Sequence, residues 1–397
     1  MRSRIDVTMV KAHNRRLVFD DIVANAPTTR AQIAANTSLS AGTVATIVEE
    51  LCRRGVAREV KEERQDGTSP VGRRPNRVEF LPKSRRIICI DLATRHPAYY
   101  VKDLDLKSEE IRQRMEDGNV ARPYDEMLRA LFGHIAARID KAGGHGRPII
   151  GVGVSVPGPY RLSEDRISCK LVPELNTIQL RALLKEFFNF PIYIDHDVKL
   201  ALGAEIQSIP SHEHKTVLSV FLGEGVGSAI SINGVVFGGA HEFAGEIGQM
   251  RIRDGGTLEE RVAWSFFLSR LRLPAGILDS SDEELFGHLS SEYQRNEPNL
   301  LSVLDETIQT IAHAIANIIC VLNPHVIIVS GHYSVFGDRF LDDLQTATEE
   351  LVIDDLKRDL QFIRSTSKEN DAIMGAASAV RELWLQSSKS PRKEGTQ

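Results

Sequence analysis

Ile149-Ile-Gly-Val-Gly-Val-Ser-Val-Pro-Gly-Pro159 contains no charged residue. Its first eight residues have the length and apolar continuity of a strand buried on both faces, and Pro157 and Pro159 end it. Upstream, 87–91 and 99–103 read as paired strands and 124–142 as a helix. Downstream, 192–194 reads as a strand and 198–206 as a helix. Residues 216–222 and 228–232 then form a hairpin closed by Gly223-Glu-Gly-Val-Gly227. Helices at 258–271 and 304–322, a buried strand at 326–329 and a closing helix at 372–385 complete the pattern. Strands alternating with helices from Arg85 onward predict α/β layers. No repeat of solenoid period is visible, and the polar residues 387–397 are expected to be disordered.

The chain has 397 residues, enough for two or three domains at roughly 100 to 200 residues each. Hydrophobic residues make up 42% and charged residues 26%, an ordinary globular balance. The most apolar stretch, 311–331, is interrupted by His313, Asn317, Asn323, Pro324 and His325, so no membrane span is expected. The basic start, Met1-Arg-Ser-Arg-Ile-Asp6, lacks the apolar core of a secretory signal, and a cytoplasmic location follows as an expectation. Cys52, Cys89, Cys169 and Cys320 are far apart, with no Cys-x-x-Cys pair, which predicts neither disulfides nor a structural zinc. Charge is unevenly placed: residues 1–86 hold 17 Lys and Arg against 10 Asp and Glu, and the remainder holds 32 against 44. A basic head on an acidic body points to an anionic partner for the head.

In that head, apolar Val10, Leu17, Val18, Ile22 and Val23 mark one face of a helix ended by Asn25-Ala-Pro27. Thr29 can cap a short second helix with Gln32 reaching back, and Ser40 can cap a third that buries Val44, Ile47, Val48 and Leu51. Two strand-like runs, 56–60 and 76–80, flank the polar segment 61–75, as in a wing. A helix, tight turn and helix of this kind places the start of its last helix in the DNA major groove. The DNA-facing candidates are then Thr29, Ser40, Gly42, Thr43 and Thr46, with Ala41 and Ala45 beside them, and Arg73 and Arg74 on the wing for a minor groove. No Arg or Gln sits on the helix face for a bidentate base contact, so its sequence reading should be modest. A small helical oligomerisation module is the alternative.

Four further motifs stand in order: Gly151-Val-Gly-Val-Ser-Val-Pro-Gly-Pro159; Asp197 with Ala201 and Glu205; Leu222-Gly-Glu-Gly-Val-Gly227; and Gly238-Gly-Ala-His-Glu-Phe-Ala-Gly-Glu-Ile-Gly248. With Thr29-Arg-Ala-Gln-Ile-Ala34, Leu39-Ser-Ala-Gly-Thr-Val44 and Gly72-Arg-Arg-Pro75, they make the chain resemble the ROK family. The resemblance is to its transcription-factor branch, of the N-acetylglucosamine and xylose repressor type, and covers about residues 14–385. It implies an N-terminal winged helix-turn-helix (1–82) and a two-lobed, actin-like or ribonuclease H-like sugar-kinase body. The lobes would span 83–197, joined by the closing helix 371–386, and 198–370. It also implies a repressor of carbohydrate genes, acting as a homodimer or homotetramer on double-stranded DNA and controlled by a sugar held between the lobes. Pro157, Gly158, His196, Asp197, Glu246, Gln249 and Glu259 match its sugar-binding positions, with Asp197 in the place of the kinase base.

Departures from the family pattern decide the expected chemistry. A kinase needs glycine loops whose amides hold ATP phosphates. Where the family's first loop reads Asp-x-Gly-Gly-Thr, this chain has Asp91-Leu-Ala-Thr-Arg95, and Glu224 replaces a threonine in the second. Ser330-Gly331 replaces the adenosine-side Gly-Gly. Phosphoryl transfer is therefore not expected, Asp197 is a vestigial base, and no catalytic residue or cofactor is assigned; a working kinase with a DNA-binding head, or a regulator controlled by a protein partner, is the alternative. The family's zinc ligands are replaced by Gly248-Gln249 and a cysteine-free 251–259, so no metal is expected. His196 and Lys199 stand where the family has asparagines, which predicts a shifted effector preference. His241 and Glu242 either line the cleft or cap a turn, and with Glu224 among them Gly223, Gly225 and Gly227 are expected to serve only a tight hairpin.

Overall fold

The computed structural model describes residues 7–61, 76–94, 97–107, 109–114, 123–142, 147–252, 255–365 and 371–387. Arg73, Arg74, Arg95 and residues 388–397 of the tail lie outside them. At the N-terminus come α1 (Val7–Asn25), β1 (Thr28–Thr29), α2 (Arg30–Thr37), α3 (Ala41–Arg53), β2 (Ala57–Val60) and β3 (Arg77–Phe80). Next are β4 (Arg86–Asp91), β5 (Ala98–Asp103), β6 (Glu109–Arg114), α4 (Tyr124–Ala142), β7 (Ile149–Val156), β8 (Tyr160–Arg161), β9 (Arg166–Ile167), α5 (Leu180–Lys185) and β10 (Ile192–His196). They are followed by α6 (Asp197–Glu205), β11 (Thr216–Leu222), β12 (Val226–Ile232), β13 (Val235–Val236), α7 (Leu258–Val262), α8 (Trp264–Ser269), α9 (Asp282–Gln294) and α10 (Pro298–Leu322). The chain closes with β14 (Val326–Gly331), α11 (Gly337–Glu349), α12 (Asp354–Lys357), β15 (Gln361–Arg364) and α13 (Asp371–Gln386).

The chain divides into two compact units, one drawn from 1–155, 179–194 and 376–397 and the other from 156–178 and 195–375. This division differs from the boundaries read off the sequence. Residues 1–82 fall in the same unit as the first body sheet, and 156–178 fall in the second unit with α6. Segment 156–178 is tied together locally: Ser168 N–H donates to the Pro159 carbonyl at 3.0 Å, and Asn176 both accepts from Cys169 N–H (2.8 Å) and donates to its carbonyl (2.9 Å).

In the first unit, β1, β3 and β2 form a three-stranded antiparallel sheet beside α1 to α3. The two-residue strand β1 has no sequence signal, because two threonines are too few for an alternating pattern. Val18, Phe19, Ile22, Ile33, Val44, Val48 and Leu51 are buried, as the helical period predicts. The larger sheet has the order β10-β7-β4-β5-β6, with β4 antiparallel to β5 and parallel to β7. The glycines of β7 make room for what lies on it: a Cβ at Gly153 would stand 2.8 Å from the Ala376 carbonyl oxygen in α13, and one at Gly151 2.7 Å from Val380. This close approach is the structural reason for Gly-x-Gly inside a buried strand.

The last turn of α13 is held by the head. Four terminal carbonyls of any helix lack intrahelical donors and carry its negative dipole end, so a buried helix end needs cations or other donors. Arg54, the C-cap residue of α3, supplies them. Its guanidinium is 4% exposed, donates to the carbonyls of Trp384, Leu385 (3.3 Å) and Ser387 (3.4 Å), and lies 3.8 Å from the Trp384 ring centroid. Arg15 donates to the Leu385 carbonyl and pairs with Glu50 at 3.0 Å, while Arg16 pairs with Glu382 at 3.1 Å.

The second unit holds a sheet of order β13-β12-β11-β14-β15, in which β11 is antiparallel to β12 and parallel to β14. Its strand order repeats that of the first unit: three strands in an antiparallel meander, then two more beyond the first strand. One sequence did not reveal this duplication. The core packs α10 against this sheet and gathers Trp264, Phe267, Tyr333, Phe336 and Phe340. The single helix expected at 258–271 is two, broken at Ala263 (ψ 145°), and the break lets Trp264 N–H donate to the Gly223 carbonyl at 2.8 Å. Strands β6, β8, β9 and β15 and helices α5, α9 and α11 were not anticipated. The short strands lack a long alternating apolar run, whereas α5 and α11 do carry buried residues at helical spacing, Leu180, Leu183 and Leu184 in the one and Phe340, Leu344 and Ala347 in the other.

Candidate functional site

Strand β10 ends at His196 and α6 begins at Asp197 without an intervening loop, so both side chains stand at one strand-to-helix junction. That junction opens into a cleft of about 820 Å³ in the second unit. The expected ligand residues Pro157, Gly158, His196, Asp197, Glu246, Gln249 and Glu259 all line it. Glu224, Gly225, Val226 and Gly227 of the β11–β12 turn, and Cys169, Lys170 and Asn176, also line it. Every lining residue belongs to the second unit. The resemblance implies a ligand held between two lobes, with Pro157, Gly158, His196 and Asp197 in the first; all four fall in the second unit.

Close approach of backbones shapes this cleft. A Cβ at Gly158 would lie 2.3 Å from the Ser168 carbonyl oxygen, and one at Gly248 2.4 Å from the Val226 carbonyl oxygen, so both positions exclude any side chain without movement. Gly227 packs on Val198, where a Cβ would meet Cγ1 at 2.8 Å. Glu246 is carried by the 238–249 loop, and the loop is anchored through Lys199. This ammonium is 3% exposed and donates to the Glu242 carbonyl (2.8 Å) and to its carboxylate (2.9 Å). Glu242 itself sits at φ +66°, a left-handed conformation that its Lys199 contacts hold in place. Neither His241 nor Glu242 is among the residues that line the cleft, and Glu242 is engaged by Lys199 instead.

Two of the cleft's carboxylates differ in freedom. Glu259 accepts from Val226 N–H at 3.2 Å through one oxygen and from the Lys170 ammonium at 2.9 Å through the other, so it braces the hairpin turn. Glu246 is only 3.7 Å from His196 Nδ1, and burial, opposed by Lys199 and reinforced by Glu259, raises its pKa above the usual carboxylate value. Asp197 accepts from Val198 N–H at 2.7 Å and stands 3.2 Å from His196 Nε2. Burial, and then the Lys199 charge, push the His196 imidazolium down to about 3, so its ring is neutral at physiological pH. Sequence reasoning missed Lys170 and the bracing role of Lys199, since a lone lysine carries no motif. Among the described residues, no group of three His, Cys, Asp or Glu is placed to hold a metal ion.

In the β11–β12 turn, Gly223 N–H donates to the Gly225 carbonyl at 3.0 Å and Val226 N–H to Glu259, so two backbone donors already have partners, and Glu224 is exposed beside them. In the first unit, Ala93 N–H donates to the Asp91 carboxylate at 3.0 Å and Leu92 is fully buried.

At the head, Ser40 accepts from Thr43 N–H at 3.2 Å and its hydroxyl meets that of Thr43 at 2.9 Å, capping α3; Thr46 donates to the Gly42 carbonyl at 3.0 Å. Thr29 caps α2 by accepting from Gln32 N–H at 3.2 Å. Gly42 and Thr46 are exposed, and a Cβ on Gly42 would meet nothing within 4 Å. The head's Arg30 is held by Glu59 (2.7 Å) and Glu49 (3.3 Å) and Arg58 by Glu79 (2.7 Å).

The ROK family pattern matches residues 87–383. The chain belongs to the ROK family. Among its relatives, a xylose repressor from Bacillus spizizenii is 23% identical over 385 residues, covering 96% of this chain and 98% of the repressor. A glucokinase from Halalkalibacterium halodurans is 24% identical over 277 residues, covering 65% of this ROK chain and 82% of the enzyme. A solved structure described as a ROK family transcriptional regulator, homolog of the E. coli MLC protein, superposes with a TM-score of 0.75 at 16% identity, covering 95% of this chain and 97% of the other. That likeness establishes the mixed α/β fold of a ROK regulator. Among the described residues, no helix of this ROK protein is long and apolar enough to cross a membrane.

Proposed function

We propose that this protein is a sugar-responsive transcriptional repressor of carbohydrate genes. One observation carries the reading: a cleft bearing Asp197, Glu246 and His196 shares a chain with an exposed, hydroxyl-bearing capped helix, and the similarity to a xylose repressor runs over 96% of that chain. The head acts as a winged helix-turn-helix in which Thr29, Ser40, Gly42, Thr43 and Thr46 meet the major groove and Arg73 and Arg74 a minor groove. A cytoplasmic homodimer or homotetramer on a two-fold symmetric operator follows from that head type. The cleft binds a sugar through Pro157, Gly158, His196, Asp197, Glu246 and Gln249, with Glu259 as a brace. The bound sugar shifts the populations of operator-binding and released forms. Binding of the protein to its own promoter region and to scrambled DNA, at physiological salt, tests it. Equal affinity for both would overturn the reading.

The body acts as a sensor, not an enzyme, and takes no cofactor. A second reading, a working sugar kinase carrying this head, draws on the glucokinase relative and the intact Asp197. Glu224 beside the polyphosphate position and the occupied amides of the β11–β12 turn oppose it. Coupled ADP release across a hexose panel decides: turnover abolished by Asp197→Asn would establish the kinase.

A further inference from the structure

Two phenylalanines line the cleft, and each has a carboxylate three residues further along the chain. Phe221 precedes Glu224 at the β11–β12 turn, and Phe243 precedes Glu246 in the 238–249 loop. Both rings are exposed, Phe221 by 36% and Phe243 by 41%, although phenylalanine is among the residues most often buried. Each ring is held in place. A Cβ at Gly223 would stand 2.6 Å from the Phe221 ring, so the ring lies against that glycine and excludes a side chain there. The Arg161 guanidinium, paired with Glu164 at 2.9 Å, lies 5.9 Å from the Phe243 ring centroid. Among the described residues neither Glu224 nor Glu246 accepts a hydrogen bond, whereas Glu259 is engaged by Val226 N–H and Lys170.

The two pairs flank β12. Its Gly227 is in register with Phe221 of β11 on one edge. Its other edge meets the 238–249 loop, where a Cβ at Gly245 would stand 2.7 Å from the Ser228 carbonyl oxygen and one at Gly248 2.4 Å from that of Val226. Two strand spacings, roughly 10 Å, thus separate the pairs, more than the breadth of one sugar ring. Glu259 stands between them, its Oε2 3.3 Å from the place of a Gly225 Cβ and 3.4 Å from that of a Gly248 Cβ. An aromatic face and a free carboxylate suit one sugar ring: its C–H face packs on the aromatic while adjacent hydroxyls donate to the carboxylate. The volume of about 820 Å³ lies toward the top of the range of about 300 to 1,000 Å³ that ligands larger than a single ring fill. Polyphosphate at the same turn would meet the Glu224 charge and find the amides of Gly223 and Val226 already engaged.

We propose that Phe221 and Glu224 form a second sugar subsite beside the one at Phe243, Asp197 and Glu246, and that the effector is a disaccharide. This rests on the reading of the cleft as a sugar site and deepens it. Isothermal titration of the full chain would compare xylose, glucose and N-acetylglucosamine with their β-1,4-linked dimers, and glucose with maltose, with ADP as the nucleotide probe. At least one dimer should bind about tenfold more tightly than its own monomer, or better. Phe221→Ala and Glu224→Gln should each shrink that ratio to about threefold or less while monomer affinity stays within about twofold, and Phe243→Ala should weaken monomer and dimer alike. A monomer that binds as tightly as its dimer in every pair would overturn the second subsite and leave the sugar site standing. Equal losses for monomer and dimer in both Phe221→Ala and Glu224→Gln would do the same, by giving the pair a structural role. ADP binding that Phe221→Ala abolishes would assign the turn to a nucleotide and also overturn the proposal. Binding by none of the sugars would overturn the sugar site and this proposal together.

Discussion

The two body sheets share a strand order, yet the turn after the first strand of each is built differently. In the first unit, Asp91 accepts from the Ala93 amide, buried Leu92 follows it, and no glycine remains at 91–94. In the second, Gly223, Gly225 and Gly227 persist, and they serve packing: none has a positive φ, and Gly227 sits against Val198 where a side chain would clash. The comparison teaches that one strand order can carry a glycine-free turn in one copy and a closely packed, glycine-rich turn in the other. Asp197 at the head of α6 and Glu246 in the 238–249 loop both line the cleft. Both units contain close backbone approaches, and they differ in the buried cation that fastens them: the Arg54 guanidinium on helix carbonyls in the first, the Lys199 ammonium on the 238–249 loop in the second.

The sharpest way to break this contrast is at Arg54. Arg54→Ala removes donors from the Trp384 and Leu385 carbonyls of α13 and from the Ser387 carbonyl just beyond it, which should cost about 2 to 4 kcal/mol of stability, read by urea denaturation of the full chain. A loss below about 0.5 kcal/mol would show that the clamp contributes nothing. In the second unit, Gly158→Ala must displace the Ser168 backbone and should cost about 1 to 3 kcal/mol, with sugar binding weakened in step. If the variant melts and binds as the parent does, close approach is not what shapes the cleft. Lys199→Met should cost about 1 to 2 kcal/mol, because Glu242 is half exposed and water replaces part of the lost pairing.

A pH series sharpens the comparison further. The His196 pKa lies far below its unfolded value near 6.5, so the unfolded chain takes up a proton that the folded chain refuses. This contribution is fully present above about pH 6.5 and is lost as pH falls toward 3, by up to about 1.4 kcal/mol per unit. Glu246, raised by burial, works in the opposite sense, since the folded chain takes up its proton first as pH falls. His196→Asn should therefore flatten the fall in stability between pH 6.5 and 5, and an unchanged slope would contradict the assigned burial. The smallest effect is expected at Gly42: Gly42→Ala should stabilise α3 by about 0.5 to 1 kcal/mol, since helix propensity rises and the added methyl meets nothing. It should nevertheless weaken operator binding, and unaltered DNA affinity would move the major-groove contact elsewhere.

Much of this was legible in the sequence because the signals were local. Capping residues Thr29 and Ser40, the apolar face of α3 and the continuous run of β7 each encode their element within a few residues. The cleft residues were legible through motif order, and the structure brings all seven expected ligand positions to one cavity. What stayed hidden depends on partners distant in sequence. The clamp joins Arg54 to Ser387, Lys199 acts through Glu242, Lys170 pairs with Glu259, and the two-residue strand β1 exists because β3 pairs with it.

The aromatic at the clamp has a use in the cuvette. The chain contains two tryptophans, Trp384 under the Arg54 guanidinium in the first unit and Trp264 in the aromatic core of the second. Each unit thus carries its own native fluorophore. Trp264→Phe would leave emission from the clamp alone, so a ligand titrated into the cleft could be followed by what it does at the base of the head, with no label attached.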